Sequence, residues 1–204
     1  CLVFTEKKLL NSLSETIMQN SIENILNKFN NSILKINWFD NIGQNLQKET
    51  KNHTFKYASY LSPRIKEKVD IIKTASTWTH AKSIINSPDC ELFIWAEEKR
   101  DENTLYNDIL RKTSEKDLQK YLSLIAQTSN ESINNMLIKV AKKNNIEDPY
   151  FVKVAGGAAA LACYQKALIV ANENLTNHIF NTKFKIYTSG HWPLTMLKSF
   201  FWVF

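Results

Sequence analysis

The stretch FVKVAGGAAALACYQKALIVA, from Phe151 to Ala171, decides the fold class. Phe151, Val154, Ala158, Leu161, Ala162, Leu168 and Ile169 recur at helical spacing, while Val152, Gly156, Ala159, Cys163, Ala167 and Val170 make the other faces apolar too. A helix apolar all round is buried on most sides, so this one reads as the centre of a core. Lys153, Gln165 and Lys166 interrupt the run and many of its residues are only Ala or Gly, which favours a core helix over a membrane span. Gly156 and Gly157 each cost about 1 kcal/mol relative to Ala in a helix interior. Close approach of a neighbouring helix is the expected compensation. A phosphate-cradling turn is not, because there is no GxGxxG, no GxxxxGK and no preceding strand.

Working outward, three of the four prolines stand in one context: Ser62-Pro63, Ser87-Pro88 and Asp148-Pro149. Each pairs an N-cap residue with Pro at the first helical position and predicts a helix start. Ile65, Val69, Ile72 and Ser76 follow the first, and Leu92, Trp95, Ala96 and Lys99 follow the second. Two more amphipathic stretches run from Ser114 through Leu118, Tyr121, Leu122 and Ile125, and from Asn130 through Ile133, Leu137, Val140 and Ala141. Leu10, Leu13, Ile17, Ile22, Ile25, Phe29 and Ile33 give the first forty residues a helical pattern as well, with Asn20-Ser21 as a potential break. The polar segment from Asp40 to Thr54 holds Gly43, shows no period and is expected to be a mobile loop.

After Asn172 the period changes. Phe180 to Tyr187 approaches alternation, Ser189-Gly190 marks a turn, and Leu197 to Phe204 is rich in aromatic and β-branched residues. The expectation is a terminal hairpin over 178–204 on a helical body over 1–175, with a helix over Phe180 to Tyr187 as the alternative. In an alternating terminal strand, Phe200, Phe201, Trp202 and Phe204 would divide between a core face and a second face that is either covered or open to a partner. The predicted class is mainly α: a single-domain helical bundle with a small C-terminal β-hairpin.

At 204 residues one domain buries a sizeable core without disulfide or metal staples. Cys1, Cys90 and Cys163 are odd in number and far apart, which fits neither a disulfide framework nor a zinc site. Cys1 suits a lipid anchor, but no charged-then-apolar leader is in view, so the expected compartment is the reducing cytoplasm. The net charge is +6, and the basic residues include only three arginines, Arg64, Arg100 and Arg111. Arg is the preferred fork for phosphate and base edges, so a nucleic-acid surface is the weaker reading of this basicity.

Chemistry-bearing motifs are scarce. His53, His80, His178 and His191 stand singly, with no HExxH and no Cys nearby, and no GxSxG or kinase motif occurs. No catalytic, cofactor-binding or metal-ligating residue is assigned, although an enzyme whose residues are scattered along the chain leaves no local trace. Cys90 is placed third in the helix begun at Ser87-Pro88, where amides and the dipole lower a thiol pKa, but Asp89 and Glu91 oppose this and a structural thiol is the better reading. The run Glu97-Glu98-Lys99-Arg100-Asp101-Glu102 reads as the solvated end of a helix, or else as a docking patch for a basic partner. His191 beside Trp192 follows a glycine turn at the expected surface. Glu97, Glu98, Asp101, Glu102, His191 and Trp192 are therefore the candidate partner-binding residues.

The pattern Lys-Phe-x-Ile-Tyr-x-x-Gly-x-Trp-Pro-Leu is carried by Lys183, Phe184, Ile186, Tyr187, Gly190, Trp192, Pro193 and Leu194. With the aromatic strand after it, this segment resembles the ending of small bacterial immunity proteins that neutralise contact-dependent or polymorphic toxins. The resemblance implies a non-catalytic protein that grips a toxin domain and occludes its active site through a wide interface. Immunity partners of basic nuclease toxins are usually acidic, and this chain is basic. Its target would be acidic, or would be bound through a local acidic face such as Glu97 to Glu102.

Overall fold

Asp148 opens the decisive helix: its carboxylate accepts the Tyr150 N–H at 3.0 Å, and Pro149 occupies the first turn. The same carboxylate takes Lys82 Nζ at 2.7 Å and the Trp78 indole N–H at 2.9 Å. The bonds from Lys82, Trp78 and the Tyr150 amide hold its pKa down to about 2. Sequence-local caps set other starts. Ser114 accepts the Asp117 N–H, and Thr77 accepts the His80 N–H.

The computed structural model describes residues 23–62, 71–90, 94–172, 175 and 177–204. In chain order these form α1 (23–33), α2 (Lys48–Leu61), β1 (Ile72–Thr74), α3 (Trp78–Ile85), α4 (Ile94–Leu110), α5 (Glu115–Lys143), α6 (Pro149–Ala171), α7 (Ile179–Thr188), β2 (Pro193–Leu197) and β3 (Phe200–Val203). The fold is mainly α with a small C-terminal sheet, as the periodicity predicts. α5 and α6 form a long antiparallel hairpin across residues 144–148, and α4 and α7 pack on α6 from other sides. Phe151, Ala155, Ala159, Ala162 and Cys163 are buried along α6. Among the described residues, α6 is the helix long and apolar enough to cross a membrane, and half of its most apolar window is buried. A Cβ added at Gly156 would make ordinary contact with Leu137 of α5, and one at Gly157 would meet nothing within 4 Å. Close helix approach therefore does not require either glycine.

Several expectations are corrected. Ile72–Thr74 is a strand rather than helix, because β3 supplies a parallel ladder with Ile72 opposite Phe201 and Thr74 opposite Val203. Ser62 closes α2 by donating its N–H to Ala58, and Ser87 starts a turn that delivers Cys90 to a bridge with Leu197. The supposed loop Asp40 to Thr54 becomes helical at Lys48. Thr50, Thr54, Tyr57, Ala58 and Leu61 bury one face, with threonines standing where an apolar pattern was sought. The positions Cys1, Leu10, Leu13, Ile17, Asn20, Ser21, Ile22, Ile65, Val69 and Leu92 lie outside the described residues.

The segment 178–188 is the helix α7, not the first strand of the hairpin. Phe180, Lys183, Phe184 and Tyr187 have helical spacing and are all buried, so a lysine in the apolar stripe disguised the period. The hairpin itself is β2–β3, turned by Lys198 and Ser199 at φ 51° and 67°, the backbone sign of a tight two-residue hairpin loop. Phe201 and Val203 face Tyr57, Leu61 and Ile186, whereas Phe200 is exposed. Phe204 is buried against Trp78 and Phe151.

Gly190 joins α7 to the sheet at φ +83°, and its carbonyl accepts the Asn41 N–H at 3.0 Å. A Cβ there would lie 2.9 Å from the Asn41 nitrogen. Gly190→Ala is expected to destabilise the fold by roughly 2 kcal/mol, read as a lower urea midpoint at unchanged slope.

Candidate functional site

A lysine buried in an apolar stripe needs a counter-charge, and α4 supplies it. Lys183 Nζ donates to both carboxylate oxygens of Glu98, at 2.9 and 2.8 Å, and to Gln165 Oε1 of α6 at 3.0 Å. All three ammonium donors are thereby used. The Tyr57 hydroxyl of α2 donates to Glu98 Oε1 at 2.5 Å, and the Tyr57 and Trp95 rings lie 5.7 and 5.6 Å from the ammonium. Side chains of α2, α4, α6 and α7 thus close on one charge pair. Burial lowers the Lys183 pKa while the Glu98 charge opposes it, and burial with Glu98 pushes the Tyr57 phenol well up. Tyr57 therefore stays protonated and acts as a donor.

Above this network lies a groove of 150 Å³ walled by Trp95, Val154, Ala158, Leu161, Trp192 and Leu194, with Lys183 and Tyr187 on its lining as well. Trp95 and Leu161 stand at its mouth, 36% and 38% exposed. A cavity of about this size holds one benzene-sized group, and it is smaller than the roughly 300–1,000 Å³ of small-molecule sites. A cleft of 420 Å³ at the start of α3 and α6 does reach that range. Its charged pair, Lys82 and Asp148, is spent on itself and on the Trp78 indole.

The acidic run is not a solvated helix end. It lies in the first half of α4, and Glu98 and Glu102 are 2% and 6% exposed because their i, i+4 spacing turns both inward. Each carboxylate has its own partner: Glu97 pairs with Arg100, Glu98 with Lys183, and Glu102 with Lys99, while Asp101 accepts the Tyr60 hydroxyl. His191 and Trp192 are also interior, 2% and 3% exposed. The Gly190 turn sends the chain inward, where Trp192 exchanges backbone hydrogen bonds with Phe204 and stacks on Trp78. Of the six candidates, only Trp192 lines the groove and only Glu98 lies in the ion pair beneath it.

The remaining reactive side chains have structural surroundings. Cys90 belongs to no helix; its Sγ lies 3.1 Å from Thr195 Oγ1. Burial pushes the Cys163 thiol up to about 12. His178 caps α7 by accepting the Phe180 N–H on Nδ1. Among the described residues no three metal-ligating side chains converge. Lys183, Gln165, Tyr57, Trp95 and Leu161 were not singled out as a site from the sequence. The available signal was a polar residue inside each of two apolar stripes, Lys183 in α7 and Gln165 in α6.

Lys183→Met leaves Glu98 buried without its cation and is expected to cost about 3–5 kcal/mol in urea unfolding. Adding Glu98→Leu should recover much of that loss, since the penalty lies in the orphaned charge. A double variant as unstable as the single one would contradict this account. Comparison of the chain with protein-family models, with curated proteins and with solved structures gives no match.

Proposed function

We propose that this chain is a non-catalytic protein-interaction module and, in its most specific form, a bacterial cytoplasmic immunity protein that binds a cognate toxin and occludes its active site. The observation that carries the reading is the groove: a slot for one apolar side chain, flanked by a half-exposed tryptophan and leucine on a rigid helical frame. Buried aromatic-lined pockets of this kind are where interface energy concentrates. Lys183, Tyr187, Trp192, Pro193 and Leu194, five residues of the segment that resembles immunity-protein endings, all line it. The saturated Lys183 offers no free donor to a ligand. An entering side chain is therefore selected by shape and apolarity.

The test is capture of a stoichiometric partner from the source cell, identification by mass spectrometry, and calorimetric titration of the purified pair. Leu161→Lys, at the groove mouth, is expected to weaken binding by about 10- to 100-fold while leaving the melting temperature nearly unchanged, whereas Trp95→Ala weakens binding and also lowers the melting temperature because its ring covers the Lys183 ammonium. A partner bound equally well by the Leu161→Lys variant would place the interface elsewhere, and a captured toxin whose activity survives complex formation would remove the immunity reading.

A further inference from the structure

Outside the α4 run and the groove, charge is distributed unevenly. Lys48, Lys51 and Lys56 are exposed on α2, and Lys185 is exposed on α7, which packs against it. Among the described residues none of these four forms an ion pair, whereas Glu97, Glu98, Glu102 and Asp108 of α4 each pair with a cation. Glu49 is the only acid on α2 and α7 carries none. The lysines act on one another's neighbourhood. His53 of α2 has its pKa lowered by burial, then by Lys185, with Lys56 adding to this and Glu49 opposing it. Lys166 of α6, bonded to Asn181, is lowered by burial and again by Lys185. Among the described residues, α2 and α7 thus present four exposed lysines with Glu49 as the one acid on the two helices.

We infer that the α2–α7 face is a docking surface for an acidic protein segment. This rests on the reading of the chain as a protein-interaction module and supplies its partner's charge. A protein partner is favoured over nucleic acid because the face is built of lysines. Among the described residues the arginines, Arg100 and Arg111, are committed to Glu97 and Asp108, so neither guanidinium fork is free for phosphates. Unpaired surface cations steer an acidic partner at long range and act chiefly on the association rate.

The experiment uses poly-L-glutamate as probe, so it needs no cognate partner and its outcome is independent of the groove test. Binding is followed by calorimetry at low and high salt, and the His53 ring titration is followed by NMR. The double variant Lys56→Glu/Lys185→Glu is expected to lose at least about tenfold in affinity, against less than about twofold for Lys112→Glu/Lys116→Glu, a charge-matched control on another surface. Polyglutamate should raise the His53 midpoint in the unaltered chain, because an anion beside the imidazole favours its charged form. Thermal melts of both variants check that the fold is retained. Equal losses in the two variants, or an unmoved His53, would overturn the proposal. So would duplex DNA binding more tightly than polyglutamate and being lost on the same α2–α7 variant, which would make the face a nucleic-acid surface.

Discussion

The buried charge pair between Lys183 and Glu98 is the constraint on which the other packing depends. Removing two ions from water costs several kcal/mol each, and that cost is met only when geometry and hydrogen bonding are complete. Here completion requires Gln165 from α6 and Tyr57 from α2 as well as the pair itself. The rotation of α7 about its axis, the depth of α4 and the position of α2 along the bundle are thereby coupled. Apolar packing alone tolerates sliding, whereas a saturated ammonium does not.

The same network shapes the outer surface. Because Glu98 and Glu102 turn inward, α4 spends its acidic residues on internal and local pairing, and among the described residues Lys48, Lys51, Lys56 and Lys185 of α2 and α7 form no ion pair. Trp95 covers the ammonium with one face and borders the groove with the rest of its ring. The residue types that look most reactive, His191, Cys163 and the middle of the acidic run, are interior. Trp95 and Leu161 at the groove mouth and Lys48, Lys51, Lys56 and Lys185 on α2 and α7 are exposed instead.

What was legible in the chain follows from how local each determinant is. The α6 helix with its Asp148-Pro149 start could be read because caps and 3.6-residue periodicity are encoded within a few turns, and so could the stretches from Ser114 and from Asn130, although the structure joins these two into the single helix α5. β1 could not, since three residues become a strand only by pairing with a segment far along the chain. α7 was obscured by Lys183, whose burial makes sense only once Glu98 is opposite it. The site inherits the same difficulty: its parts lie on four helices and meet through tertiary packing, so the acidic run and the Trp-Pro turn are visible in the sequence but the ion pair and the groove beside it are not.

The strand order β1–β3–β2 puts the latest segment of the sheet at its centre. β1 and β2 have no ladder with each other, so neither has its sheet partner until residues 200–203 are in place. Folding is thereby ordered in time: the α5–α6 hairpin can form from near neighbours as it emerges, while closure of the sheet joins distant parts of the chain and comes late. A chain interrupted before Phe200 would keep much of its helical bundle and expose two unpaired strand edges, a state open to aggregation or chaperone capture.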